Sequence, residues 1–557
     1  MFCRVKRRAL GLVGALCLLG LGAAGPAQAD WTTYHADPAL TGVDTTSGTA
    51  VPFAAAWTAS SLVGDIWSEP LVYNGLVIVA TENNDVYAFD EATGAQVWHV
   101  SGGTPVPASE LPCGDITPTV GITGTPVIDA STGTLYAVAD LSSGSSAAHT
   151  LFAYDAATGS LEWSRAVEPP SDDPLNQLQR ESLALDGGRV LIGYGGNDGD
   201  CAQYKGVLVS APENNQGPND VYTVPTTREG AIWSGGGAPA VDTSGNVYVA
   251  TGNAADGPGQ PYDHGDTLEK LNADATELDY WAPLTWAQDS ASDADLGSVS
   301  PALLPGNLVY QGGKNGNGYL ISATNLGHIS AGLYSAPVCD SFGSDAYANG
   351  ILYVACSSGI KALNIVTSPP SFNGRWTGPS DANGPPIIAG GLVWVASTAD
   401  AKLYGLDPLT GAVKVSTSTP AMEHFITPSA SNGKLFLATD TTLNAYTIAT
   451  ALTPTPTPAP TPIPTPAPTP TPTPATPSKC PRAVVLTLRH PRHERIVRAT
   501  VYEGHRRLAT RRGSRLRTIA VRHVARGSVT IRLVEVPRHG HRIVERVRVR
   551  GCRRVAH

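Results

Sequence analysis

Cysteine is the residue whose number and placement most plainly imply a chemistry in this chain. There are eight. Cys3 and Cys17 fall in a leader in which Arg4, Lys6, Arg7 and Arg8 precede an apolar run, Ala9 to Ala24, and "AQA" (Ala27 to Ala29). That order of basic, apolar and small residues predicts a secretory signal over residues 1–29. The apolar run is shorter than the ~20 residues a membrane span needs, and no later segment could cross a membrane. Six cysteines then remain, an even number in an exported chain, which predicts disulfides. Sequential pairing is expected: Cys113 with Cys201, Cys339 with Cys356 across one hairpin, and Cys480 with Cys552 around one small domain.

Other reactive side chains stand singly. Asn253, in "TGN" before a Gly/Pro-rich loop, has the setting of a turn residue. Asp293 and Asp295 lie in "DSASDAD", a polar stretch with the composition of a solvated face, and Lys314 in "GGKNG" suits a hairpin tip. No HExxH, GxSxG or GxxxxGK[ST] is present, so the common zinc-protease, hydrolase and phosphate-loop chemistries are not indicated.

Charge divides the chain into three. Residues 30–452 carry 12 Lys+Arg and 43 Asp+Glu, whereas residues 479–557 carry 22 Lys+Arg and 4 Glu. Between them, residues 453–478 repeat Thr and Pro. Proline at every second or third position forbids helix and sheet and favours an extended spacer of roughly 80 Å at ~3.1 Å per residue.

The acidic part is repetitive. "YAFDEATGAQVWHV" (Tyr87 to Val100) returns as "FAYDAATGSLEWSR" (Phe152 to Arg165) and "YGLDPLTGAVKV" (Tyr404 to Val415). Each copy follows a β-rich apolar run such as "PLVYNGLVIVAT" (Pro70 to Thr81), and eight such runs can be counted before Leu452. About 53 residues per unit is the size of a four-stranded propeller blade. In "DEATG" the Asp90 carboxylate can accept from backbone N–H groups ahead of it, and Gly94 can take positive φ. Trp98 ends the fourth strand and is expected to fill the gap to the next unit. The last copy has no fourth strand with a Trp, whereas "FAAAWTAS" (Phe53 to Ser60) supplies one with Trp57. An N-terminal strand completing the C-terminal blade would close the ring and remove two exposed edges.

The "AxDxxTGxxxW" repeat, with "DWTTYHADPALTG" (Asp30 to Gly42), "GITGTPVIDASTGTLYAVA" and "GGGAPAVDTSGNVYVATGN", resembles the quinoprotein, or PQQ-binding-like, eight-bladed propellers over roughly residues 30 to 450. The resemblance implies an all-β propeller. It leaves two functional classes open, because some members are PQQ- and metal-dependent dehydrogenases and others bind protein partners without a cofactor. For a dehydrogenase it implies Asn253 as a metal ligand, Asp293 or Asp295 as the base, and Lys314 as the contact to the quinone. PQQ with Ca²⁺ or a lanthanide would be the cofactor. A polyanionic quinone in an acidic propeller would also need positive charge, from the metal, Lys314 and Arg180 or Arg228. Two features depart from the dehydrogenases. No adjacent cysteine pair is present to lie above the quinone, and "GGG" (Gly235 to Gly237) is followed by "APAVD" with no aromatic, Trp233 lying before the run.

The tail alternates apolar and basic residues, as in "RIVERVRVRGC", which predicts a small antiparallel sandwich with an Arg-rich face. Such a face fits an anionic envelope polymer, and nucleic acid is not expected because Tyr502 is the sole aromatic there. The sequence thus predicts an exported eight-bladed propeller (30–452), a rigid linker (453–478) and a disulfide-stapled basic β-sandwich (479–557). The expected role is a binding or scaffold module at the cell envelope, with a protein or small-molecule ligand in the propeller funnel, no cofactor and no turnover. The alternative is a PQQ- and metal-dependent dehydrogenase oxidising an alcohol or sugar.

Overall fold

A computed structural model of the chain describes residues 31–60, 62–144, 146–170 and 173–451, and in the tail 484–488, 496–503, 506–513, 516–521, 527–537 and 543–551. The leader, the Pro/Thr spacer, and Cys480 and Cys552 with their expected bond lie outside the described residues.

The described residues from 31 to 451 form one compact unit. Eight antiparallel sheets follow one another in it; six rest on four consecutive strands, and the fifth takes Tyr334–Pro337 as its fourth strand after the chain has added His328–Ile329 to the sheet before it. The first is Leu71–Tyr73, Leu76–Ala80, Asp85–Asp90 and Gln96–Ser101. Its second and third strands are almost wholly buried and its fourth mostly exposed, so each blade runs from the axis outwards. The fourth blade has a fifth strand, His328–Ile329, added in parallel.

The eighth blade is closed by the other end of the unit. Ser47–Ala59 lies antiparallel to Thr442–Ala451, with Trp57 opposite Ala445. The edge strand that the last repeat lacks is thus supplied from before the first.

The repeat phrase joins one blade to the next. In the first blade Asp90 Oδ1 accepts from the Thr93 N–H (2.8 Å) and hydroxyl (2.7 Å), and the Gly94 N–H bonds to Asp90 O (2.8 Å). Gly94 has φ +72°, and a Cβ on it would meet Trp57 of the eighth blade at 2.6 Å. Trp57 Nε1 donates to Glu91 O in the same turn (3.0 Å). Trp98 repeats this on the second blade, packing on Gly159 and donating to Ala156 O (3.2 Å). Trp376 does so on the seventh, with Gly411 and Pro408 O (3.0 Å). The "DxxTG" turns at 90–94, 155–159 and 407–411 are therefore sockets, and the Trp of the preceding blade is the plug of each.

The leading segment crosses the propeller axis. Trp31 bridges Val72 of the first blade, and Thr32 O accepts from Ile128 of the second (2.8 Å). Pro38 O accepts from Val241 of the fourth (2.7 Å), Thr41 O from Tyr347 of the sixth (3.0 Å) and Gly42 O from Ile388 of the seventh (2.7 Å). Five innermost strands are thereby tied through one stretch of chain. Inside it, Glu69 is fully buried and accepts from Trp31 Nε1 and the His35 N–H.

The second unit, Pro456–His557, contains a two-stranded sheet (Val484–Thr487 with Thr518–Val521) and a four-stranded one (Arg506–Arg512, Ile496–Glu503, Gly527–Pro537, Ile543–Gly551). Leu486, Ile519 and Val521 of the first pack with Val501, Ile531 and Leu533 of the second, which makes it a sandwich with one core. Among the described residues no helix is long and apolar enough to cross a membrane.

Candidate functional site

A cavity of about 290 Å³ is lined by segments that precede the innermost strands and by loops of the third to fifth blades. Its lining includes Asn253, Asp295 and Lys314, three of the residues singled out from sequence. The fourth, Asp293, is not in the lining, and its side chain is 72% exposed. The two Asp alternatives are thus separated: Asp295 faces the cavity and Asp293 faces out.

One wall is tightly bonded. Asp295 Oδ1 accepts from the Asn253 N–H (2.7 Å), Oδ2 pairs with Lys314 Nζ (2.6 Å), and Asp295 O accepts from the Lys314 N–H (2.8 Å). Gly252 makes this approach feasible, because a Cβ there would stand 2.6 Å from Asp295 Oδ1. Burial raises the Asp295 pKa, and the neighbouring Lys314 counters it only in part. Burial opposes the Lys314 ammonium, but Asp295 and Asp293 outweigh it and hold the pKa above its ordinary value. Asn253 Oδ1 is buried without a hydrogen-bond partner.

The opposite wall is built around Arg180. Its guanidinium is buried, 4.5 Å over the Trp67 ring and 5.6 Å over Phe425. Among the described residues none accepts a hydrogen bond from it or lies in an ion pair with it. Burial lowers its pKa, against the attraction of Glu82 and Asp115, and an arginine remains charged regardless. Beside it, His424 Nε2 pairs with Asp115 Oδ2 (3.2 Å), a contact that lowers the Asp115 pKa. Arg228 lies elsewhere, paired with Glu229 at 2.8 Å.

Aromatic enclosure is present after all. Trp233 lines the cavity, with Lys314 Nζ 5.6 Å over its ring and with Phe342 and Phe425 edge-on to it. Its position before the glycine run is what brings it there: Ser234, Gly235 and Gly236 all have positive φ and turn the chain sharply after the indole. No adjacent-cysteine ring exists, but Cys113–Cys201 ties the stretch carrying Asp115 to the loop carrying Asp198 and Asp200. Cys339–Cys356 is the second expected pair.

Trp233, Phe342, Phe425, His424 and Arg180's stacked setting were not assigned from sequence. A signal existed. Trp67, Arg180, Phe342 and Phe425 each stand four residues before the first strand of their blade, Leu71, Ala184, Ala346 and Ser429. Gly236 and Ser298 hold the same position before Ala240 and Ala302, and these two small residues leave room at the axis.

A family profile described as outer membrane protein assembly factor BamB matches residues 21–149 and 117–417. The chain belongs to this family. No curated protein matches it closely enough to count as a relative. Among solved structures, the BamB-family propeller is similar to quinohemoprotein alcohol dehydrogenase from Comamonas testosteroni, at 15% identity and TM-score 0.58 over 76% of this chain and 81% of that one. It is also similar to a europium-containing methanol dehydrogenase, at 14% identity and TM-score 0.57 over 75% and 98%. At such identities the likeness is one of fold.

The donor set of this BamB-family cavity decides whether a hard cation and a quinone suit it. Such a cation takes six to eight oxygens. Asn253 Oδ1 is free, but both Asp295 oxygens are already engaged. Among the described residues, the one trio of acidic or imidazole side chains close enough to share an ion lies away from the cavity lining. Asp115, Asp198 and Asp200 line the cavity beside Asp295, but no three of these carboxylates stand close enough to share one ion, so the described side chains form no ready-made cage for a metal–quinone pair.

Proposed function

We propose that this propeller is an exported binding module that holds a small, flat, anionic molecule at its axis and does not turn it over. The buried guanidinium of Arg180, unpaired between two aromatic rings, carries this reading. A buried charge without a partner is costly, and a carboxylate or similar anion arriving from the cavity would supply the missing acceptors. Trp233, Phe342 and Phe425 give a flat ring apolar faces to lie against. Lys314 cannot serve as a second free cation because Asp295 neutralises it at 2.6 Å. The basic tail, with 22 basic residues against 4 acidic, is proposed to hold the module to an anionic envelope polymer.

A PQQ-dependent dehydrogenase is the second reading, favoured by the convergence of Asn253, Asp295 and Lys314 on one cavity. In it Asp295 would take the proton of the substrate hydroxyl, and the cofactor would supply the electron acceptor. The two separate in one experiment. Small aromatic carboxylates should quench the fluorescence of Trp67 and Trp233 saturably, with affinity reduced roughly 10-fold or more in Arg180→Ala. PQQ with Ca²⁺ or a lanthanide should leave no quinone absorbance after gel filtration and support no dye reduction with alcohols or sugars. Stoichiometric retention with dye reduction, lost in Asp295→Asn, would replace the binding reading with the enzymatic one.

A further inference from the structure

Away from the axis, the fourth blade brings together three side chains that the cavity does not use. Glu269 lies on the strand Leu268–Asn272, and Glu277 opens the neighbouring strand Glu277–Ala282. His264 comes from the loop that leads into Glu269's strand. It has φ +64°, and its backbone carbonyl is held by the Thr251 hydroxyl at 2.7 Å. One ligand atom from each of the three lies within 4.8 Å of the others.

We infer that His264, Glu269 and Glu277 form a binding site for a single divalent transition cation of the Zn²⁺ class. The donors are one imidazole and two carboxylates, a set that suits such an ion. His264 Nδ1 and Glu269 Oε1 are 2.8 Å apart. Two atoms each bonded at ~2.1 Å to one ion stand roughly 3 Å from each other, so little movement is needed. The imidazole is already oriented, lying against the rings of Tyr262 (4.8 Å) and Tyr280 (4.7 Å).

An independent observation points to the missing occupant. Glu269 is fully buried, and its Oε2 has no hydrogen-bond partner. Tyr222, from the third blade, brings a buried hydroxyl against Glu269, though not in good hydrogen-bond geometry. With one imidazole and one poorly aimed phenol hydroxyl for company, the buried carboxylate lacks a full set of partners, and a cation held beside Oε1 and Oε2 would complete its shell. Glu277 is exposed and gives the ion a way in from solvent. The loop from Thr251 to Thr267 also carries Asn253, so the ion would fasten a loop that reaches the axial cavity without entering that cavity.

The test uses the full-length protein after dialysis against a chelator. Calorimetric titration with Zn²⁺ should give one ion per chain, and melting should shift upward with Zn²⁺. Co²⁺ in its place should give a visible d–d spectrum. Glu277→Gln, a change at an exposed rim, should fold as the parent does and weaken Zn²⁺ by more than about 100-fold, beyond what loss of an outer partner costs. Glu269→Gln should abolish the Co²⁺ spectrum; if that variant does not fold, Glu277→Gln decides alone. A parent protein that takes up no Zn²⁺ at tens of micromolar overturns the site. So does a Glu277→Gln variant that binds Zn²⁺ with unchanged stoichiometry and affinity.

Discussion

The two sides of the propeller follow different rules. Around the eighth, first and second blades, and again between the sixth and seventh, a Trp from one blade sits on the Gly of the next blade's "DxxTG" turn. The third to sixth blades have lost that phrase, reading "PENNQG", "NADAT", "SATNLG" and "TSPP" where it should stand. Asn253, Asp295, Lys314 and the loop with Asp198 and Asp200 belong to those blades. Where the repeat is intact the residues hold blades together. Where it decays, glycine-rich segments such as residues 234–237 let side chains reach the axis. The Asp295 wall of the site is built from the departures from the repeat, while Trp67, Asp115, His424 and Phe425 reach the site from the regular side.

The largest effect that could break this comparison comes from removing residues 31–60. The deletion takes away both the axial segment and the strand Ser47–Ala59, exposing the edge of Thr442–Ala451. Aggregation on expression, or loss of cooperative melting, is expected; a soluble variant melting in one transition would contradict ring closure through this strand.

Next in size is the inter-blade plug. Trp98→Ala should cost about 3–5 kcal/mol, measured by denaturant unfolding. Asp293→Ala, on the irregular side and exposed, should change stability by less than about 0.5 kcal/mol. Equal losses in the two would mean that the socket is not the structural element proposed.

Asp295→Ala should cost about 1–3 kcal/mol, because the Asn253 N–H loses its acceptor and the Lys314 ammonium keeps only the exposed Asp293 at 3.1 Å. Adding Lys314→Met should recover part of that loss, since the stranded charge is then gone. No recovery in the double variant would show that the pair is not coupled.

The smallest effect expected is on pH. Burial pushes the carboxyls of Glu82 and Asp345 up to about 7 and that of Glu181 up to about 8. The folded state therefore binds more protons than the unfolded state above pH ~4.5. The stability these groups contribute is complete below their unfolded pKa and is lost as pH rises through 7 to 8. Melting temperature should fall by a few degrees from pH 5.5 to 8.5. Glu181→Gln should flatten the slope, and an unchanged slope in that variant would remove Glu181 from the account.

The regular side was legible because its information is local. Asp90, Thr93, Gly94 and Trp98 occupy nine residues, and the same spacing recurs at Asp155 to Trp163. Closure by Trp57 was legible for the same reason, as a strand missing at one end and spare at the other. The cavity was legible only in part. Asn253, Asp295 and Lys314 lie on neighbouring blades and were reached by resemblance. Arg180, Phe342 and Phe425 come from the third, sixth and eighth blades, and no window of sequence contains two of them. Their shared place, four residues before the first strand of a blade, becomes visible only once strand starts are fixed. Trp233 precedes its glycine run, out of register with the family resemblance, yet the positive φ of Ser234, Gly235 and Gly236 is what aims it inward.

The measurement that bears most directly on the central claim is ligand binding to Arg180→Ala beside the parent protein, followed by tryptophan fluorescence with a panel of small aromatic carboxylates. The account predicts saturable binding to the parent, weakened roughly 10-fold or more in Arg180→Ala and little changed in Asp293→Ala. Binding that is absent from the parent, or equal in the parent and Arg180→Ala, would contradict an axial anion site built on this guanidinium.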